Sequence, residues 1–181
     1  RRFAGIPARP TGHHRKGGAP GAPSDDHYKG IGLPNRLEPL RAKMDALALP
    51  ALLVTRREHL YYLAGFAGST GILVVTAERQ LFLTDFRYVL QAGEEAPDWE
   101  LVQVERTPAE TVRETLRGLG VSTVGFEPDD LTVALYEAYG GKDASLPYAL
   151  TPAPNLVEEL RLVKDAEEMA AIRAATRITD D

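Results

Sequence analysis

The chain has 181 residues, 44% hydrophobic and 26% charged, which is enough for one domain with a full core and too short for two large ones. Apolar runs such as Gly71–Val75 fall far short of the roughly 20 residues that cross a bilayer, and no charged-then-apolar leader opens the sequence, so a cytoplasmic protein without a membrane anchor is expected. Cysteine is absent, which excludes disulfides and thiolate chemistry, and of the four histidines only His59 lies beyond residue 35.

Charge divides the chain. Residues 1–35 hold six Lys/Arg against two Asp, together with 7 of the 16 Gly and 5 of the 13 Pro. Residues 36–181 hold fifteen Lys/Arg against twenty-four Asp/Glu. The few apolar residues of the first segment (Phe3, Ile6, Ile31, Leu33) follow no helical or strand period, so 1–35 reads as a flexible, basic Gly/Pro-rich extension. It nearly lacks stacking aromatics and the body is acidic, which argues against a nucleic-acid arm. Asp25–Asp26–His27 reads as flexible polar sequence in preference to a metal site. The first Met is Met44, so a processed or partial product is expected.

From Asn35 the pattern is regular. Asn35 with Glu38 opens a helix bearing Leu37, Leu40, Met44 and Leu47 on one face, ended by Pro50. Ala51–Thr55 is a continuous apolar run, as in a strand buried on both faces. Glu58–Leu63 reads as a short helical turn carrying Tyr61, Tyr62 and Leu63 inward, with His59 partly exposed. Gly71–Thr76 and Gln80–Thr84, joined by Ala77–Glu78–Arg79, give a β-hairpin. Asp85–Ala96 follows as a helix capped by Asp85, with Tyr88, Val89 and Ala92 at helical spacing.

Trp99–Val104 alternates as a half-buried strand. Thr107–Pro108–Ala109–Glu110 opens a helix with Val112, Leu116 and Leu119, closed by Gly118 or Gly120. Val121–Glu127 is a further strand, and Asp129 or Asp130 caps a helix running through Tyr139 to Gly140–Gly141. The last helix starts at a capping box, Asp165 with Glu168, and carries Met169, Ile172, Thr176 and Ile178 on one face. It runs to Asp180–Asp181 against the helix dipole with no terminator, as though cut in its middle. This alternation predicts an α/β fold, a mixed β-sheet with helices on both faces.

Recognisable chemistry is scarce. Only two residues separate Gly65 from Gly68 and no Lys is near, which fails the phosphate-binding loop. These glycines precede a strand instead of opening a helix, which fails the dinucleotide fingerprint, and Gly68–Ser69 lacks the spacing of a serine-hydrolase elbow. A tight turn with close backbone approach is the plainer reading. Ser69, His59 and Asp85 are triad residue types, but their spacing supports no particular geometry. No His/Asp/Glu cluster has ligand spacing, so no catalytic or metal residue is assigned. Arg56–Arg57 reads as a solvated loop pair in preference to an anion clamp, and Tyr61, Tyr62, Phe66, Phe86 and Tyr88 divide between core and a surface edge.

One block does more than its parts. His59–Thr76 (HLYYLAGFAGSTGILVVT), then Leu83–Tyr88 (LTDFRY) with Gln91 and Ala92, closely resembles the N-terminal domain of Xaa-Pro aminopeptidases and dipeptidases, the creatinase/prolidase or pita-bread metallopeptidases. Arg161–Lys164 with Glu167, Glu168, Ile172 and Arg173 is similar to that family's entry into its catalytic domain. The resemblance implies a ribonuclease-H-like domain over 36–160 and, over 161–181, the start of a linker helix into a catalytic domain that is absent.

It also implies a parent enzyme that hydrolyses the peptide bond before proline. Two divalent metal ions, commonly manganese, would sit in the C-terminal domain on two Asp, one His and two Glu and activate a bridging water. None of those ligands has a matching position here, so this fragment is expected to hold no cofactor and to be inactive alone. In this family the N-terminal domain supplies dimer contacts and, in several members, a wall over a neighbouring active site. Proline lacks an N–H, so such a peptidase must read shape around the ring. On that basis Phe66, Ser69, Thr70, Phe86, Arg87 and Tyr88 are candidate substrate-rim residues, with a role in folding alone of equal standing. The implied partners are the C-terminal catalytic domain of the same polypeptide, a second copy in a homodimer and, for the parent, proline-containing peptides, with neither nucleic acid nor membrane. The alternative is a stand-alone dimerisation or peptide- or partner-binding module with no tie to catalysis.

Overall fold

A computed structural model describes residues 35–179. The extension expected over 1–35 lies outside the described residues except for Asn35, as do Asp180 and Asp181. Six strands make one sheet: β1 (Ala51–Val54), β2 (Ile72–Thr76), β3 (Gln80–Thr84), β4 (Glu100–Gln103), β5 (Thr123–Phe126) and β6 (Ala149–Pro152). Their spatial order is β4-β3-β2-β1-β5-β6. β2 runs antiparallel to both its neighbours, as the predicted hairpin requires, while the β3–β4, β1–β5 and β5–β6 pairs are parallel. The sheet is therefore mixed.

Side-chain alternation sends β1 to two cores at once. Leu52 and Val54 join Leu73, Val75 and Phe82 beneath α1 (Leu37–Ala46), α2 (Arg57–Ala64), α3 (Val89–Glu95) and α6 (Leu156–Leu162). Ala51 and Leu53 join Val74, Leu83 and Val124 on the opposite face, under Val112 and Leu116 of α4 (Pro108–Leu119) and beside α5 (Val133–Ala138). Each of these leucines is wholly buried, worth about 1.5–3 kcal/mol in transfer terms. Helices thus cover both faces, and a continuous apolar strand is what that position demands.

The local signals explain most of the boundaries. Asn35 Oδ1 accepts from the Glu38 N–H at 3.3 Å at the start of α1. Thr107 Oγ1 accepts from the Glu110 N–H, Pro108 follows at the first helical position, and Gly120 at φ 67° closes α4. Asp165 and Glu168 form the reciprocal box, Glu168 N–H to Asp165 Oδ1 at 2.8 Å and Asp165 N–H to Glu168 Oε2 at 3.1 Å. That box opens α7 (Ala166–Thr179), which lies beyond a break at residues 163–165 after α6.

Several expectations change. Asp85 does not cap α3: its Oδ1 accepts from the Arg87 N–H, closing a turn that delays the helix to Val89. Neither Asp129 nor Asp130 caps α5, because the Asp130 and Leu131 N–H groups turn back onto the Glu127 carbonyl and Thr132 Oγ1 takes the capping role. Tyr61 points outward, 48% exposed, and Leu47 lies outside α1 as its exposed C-terminal neighbour. β4 is more exposed than a half-buried strand because it is an edge. β6 and α6 are further elements without a sequence counterpart. β6 is the opposite edge, buries only Leu150 and ends in Pro152, so it carries almost no strand signal. Among the described residues no helix is long and apolar enough to cross a membrane.

Candidate functional site

The six rim candidates gather around the loop from Gly65 to Gly71 and the turn after β3. Gly65 adopts φ 73° and ends α2, and a Cβ on Gly71 would stand 2.8 Å from both Leu60 and Phe82, so the loop packs too closely for a side chain there. Phe66 has no exposed surface and meets Phe82 edge-on at 4.8 Å and Tyr88 at 5.8 Å. It is a core residue that backs the others. Tyr88 then hydrogen-bonds through its hydroxyl to exposed Ser69 Oγ at 2.7 Å, and the Thr70 carbonyl accepts from Thr84 Oγ1 at 2.8 Å.

Phe86 is 75% exposed and Leu90 84%, flanking Arg87. The Arg87 guanidinium forks onto Asp85 at 3.0 and 2.7 Å, and this hydrogen bonding holds the Asp85 carboxyl below the usual carboxylate range and raises Arg87. The surface so formed offers a hydroxyl pair, an aromatic ring and a cation. It can bind, but it sets no base beside a nucleophile. The triad residue types stay apart in their bonding: Ser69 is committed to Tyr88, Asp85 to Arg87 and His59 to Glu127.

His59 is where the sequence reading falls shortest. It is wholly buried, not partly exposed, and its Nδ1 hydrogen-bonds Glu127 Oε1. Topology creates the contact. β1 and β5 are parallel neighbours with Leu53 opposite Phe126, so Thr55, Arg56 and Glu127 emerge together at one end of the sheet. Glu127 Oε2 accepts from the Thr55 and Arg56 N–H groups at 2.8 and 3.0 Å, holding the entry to α2. From α6, Glu158 places Oε1 3.8 Å from His59 Nε2 and 3.3 Å from Arg56 Nη1. Asp130 accepts from Thr55 Oγ1 at 2.6 Å at the same end. The available signals were a lone histidine opening the LYYLAGF block and an acid placed directly after an apolar strand; Glu158 had none.

Donor atoms of His59, Glu127 and Glu158 lie within 4.8 Å of one another. This donor set does not fit the dinuclear centre that the resemblance implies for the parent. It contains one His and two Glu but no Asp, and Glu127 is already engaged by His59 and two backbone N–H groups. No hydrolytic step is assigned to it.

Residues 36–163 match the family model of the Creatinase/Prolidase N-terminal domain. The chain is 32% identical over 148 residues to the uncharacterized peptidase YqhT of Bacillus subtilis (strain 168), covering 81% of this chain and 41% of that protein. The Xaa-Pro dipeptidase from Bacillus anthracis is similar in structure, with a TM-score of 0.69 at 34% identity over 74% of this chain and 37% of that one. The N-terminal domain of the cytoplasmic peptidase PepQ from Mycobacterium tuberculosis H37Rv has a TM-score of 0.63 at 34% identity, over 69% of this chain and 97% of that one. The chain thus spans less than half of the first two proteins and corresponds to nearly all of the third. With the mixed six-stranded sheet and the family match in agreement, the chain belongs to the creatinase/prolidase N-terminal domain family.

Proposed function

We propose that this chain is the N-terminal, non-catalytic part of a cytoplasmic, dinuclear-metal Xaa-Pro aminopeptidase or dipeptidase, where it serves dimerisation and shapes the substrate pocket. The observation that carries this reading is the match of residues 36–163 to the family's N-terminal domain, over less than half the length of the two Bacillus peptidases. The parent then hydrolyses the bond before proline with two manganese-class ions held beyond this domain. The exposed Phe86 beside Arg87, Ser69, Thr70 and the Tyr88 hydroxyl is the surface suited to meet a second copy or the edge of a proline-containing peptide, with Phe66 supporting it from the core. An apolar ring next to a cation contacts a ring lacking an N–H by shape and a peptide carboxylate by charge.

The test is to read the gene beyond Asp181 and to assay both lengths. A continuing frame that supplies two Asp, one His and two Glu, with manganese-dependent release of the residue before proline by the long chain only, is the expected result. In that long chain, Phe86→Ala should raise KM or shift the dimer equilibrium. Release by these 181 residues alone would overturn the proposal. A frame that stops here would favour the second reading, a free-standing dimerisation or partner-binding module. The near-complete match to a separately solved N-terminal domain supports that such a unit folds by itself.

A further inference from the structure

His59 Nε2 is fully buried and has no hydrogen-bond partner among the described residues. A buried polar atom left unpaired is destabilising, so such an orphan calls for an explanation. Its neighbours supply one. Glu127, an acceptor, faces Nδ1, so Nδ1 carries the proton and Nε2 presents its lone pair. A histidine held by a carboxylate on one nitrogen and open on the other is the arrangement of a metal-ligating imidazole with its outer carboxylate.

We propose that His59 Nε2 and Glu158 form a binding site for one zinc-class divalent ion, with Glu127 as the outer carboxylate that fixes the ring. Zinc bonds to nitrogen and oxygen are about 2.0–2.2 Å, so an ion touching both atoms spans up to about 4 Å. Nε2 and Glu158 Oε1 stand 3.8 Å apart, and Glu158, with 30% of its side chain exposed, has freedom to close the angle. The carboxylates outnumber the cations at this end of the sheet: Glu58 and Glu158 pair with the Arg56 guanidinium, Glu127 accepts from the Arg56 backbone N–H and Asp130 from Thr55 Oγ1, while Arg161 is a second cation near Glu58. Arg56 occupies the approach to Glu158, and the cleft beside it, lined also by Asp129 and Asn155, has no room for a free water. Entry of an ion therefore requires Arg56 to turn toward Glu58, already 3.6 Å from its Nε. Only the space that Arg56 leaves when it turns admits the water that would complete the coordination. An imidazole donor selects zinc over magnesium. The ion would join α2 to α6 at one end of the sheet, a role separate from hydrolysis.

The test uses the 181-residue chain with His13, His14 and His27 changed to Gln, so that the other histidines add no sites. Zinc is titrated calorimetrically while the nitrogen shifts of His59 are followed by NMR. The expected result is one ion per chain, a shift of Nε2 with Nδ1 still protonated, and no response to magnesium. Glu158→Gln should weaken binding roughly tenfold or more, in the range of ligand-shell substitutions. Arg56→Gln should tighten it, an outcome that loss of a merely structural ion pair would not produce. An unshifted His59 at millimolar zinc, or binding that Glu158→Gln leaves intact, would overturn the proposal.

Discussion

Glu127→Ala is the most informative single change to stability. The carboxylate is 5% exposed and makes three contacts: His59 Nδ1 on one oxygen, and the Thr55 and Arg56 N–H groups on the other at 2.8 and 3.0 Å. Removing it leaves two part-buried amides and a buried imidazole without an acceptor. Unmade bonds of this kind cost about 1–3 kcal/mol each, and bonds to a charged group are worth about 1.5–3. Taking the low end for the part-buried amides gives a loss of about 3–5 kcal/mol, a large share of the roughly 5–15 that holds a domain of this size. Glu127→Gln is the control. Its carbonyl oxygen still accepts from the two amides, and His59 can present Nδ1 as an acceptor to the new NH2, so the cost should be only about 1 kcal/mol. Urea unfolding followed by circular dichroism measures both against the parent chain. A loss below 1 kcal/mol for Glu127→Ala, or equal losses for both variants, would refute the argument from hydrogen bonds.

Phe66→Ala empties a ring site packed against Phe82 and Tyr88 and should cost about 3–5 kcal/mol in the same measurement. Phe86→Ala, at a ring 75% exposed, should change monomer stability by no more than about 0.5 kcal/mol, so any effect on assembly or KM is read free of folding. Thr107→Ala removes the oxygen that accepts from Glu110 and should lower stability by about 1 kcal/mol, with helical amide exchange faster over the first turn of α4. The Asp165 carboxyl is held below its usual range, first by the Glu168 N–H and then by Arg36. Because the folded value is depressed, this contribution is complete above about pH 4, the unfolded carboxylate value, and is lost as pH falls through the folded one. Amide exchange at Glu168 should quicken over that acid window, and Asp165→Asn should remove the pH dependence.

The sequence carried most of the sheet because its central strands are buried on both faces and leave runs such as Ala51–Val54 and Ile72–Thr76. Helix starts were legible where a local capping pair stood out, as at Thr107 and Asp165 and in the Asn35–Glu38 pair just before α1, but not at α5, where the equally local Thr132 cap was overshadowed by Asp129 and Asp130. Boundaries slipped where side chains had competing partners: Asp85 turned to Arg87, and Asp130 to Thr55. β6 was illegible because an edge strand with one buried residue ending in proline resembles a loop. Of the surface around Phe86, the residues were named but their division of labour was not. That Phe66 is core while Tyr88 reaches Ser69 depends on ring packing across β3. The His59 cluster lay further from reach, since His59 is 68 positions from Glu127 and farther still from Glu158, and the parallel pairing of β1 with β5 is what brings His59 and Glu127 together.

Arg36, at the start of α1, holds the far end of the domain. It donates to the Tyr62 carbonyl at 2.7 Å, lies 4.0 Å over the Tyr62 ring, and pairs with Asp165 and Glu168 at 3.4 and 3.5 Å. Two points 129 residues apart along the chain are thereby clasped at one corner. Mechanically, a pull that separates the start of α1 from the start of α7 meets this ionic clasp before it strains any strand pairing in the sheet. An Arg36→Gln substitution would open the clasp and uncover the Tyr62 ring at the edge of one core, while leaving the core on the other face of the sheet untouched.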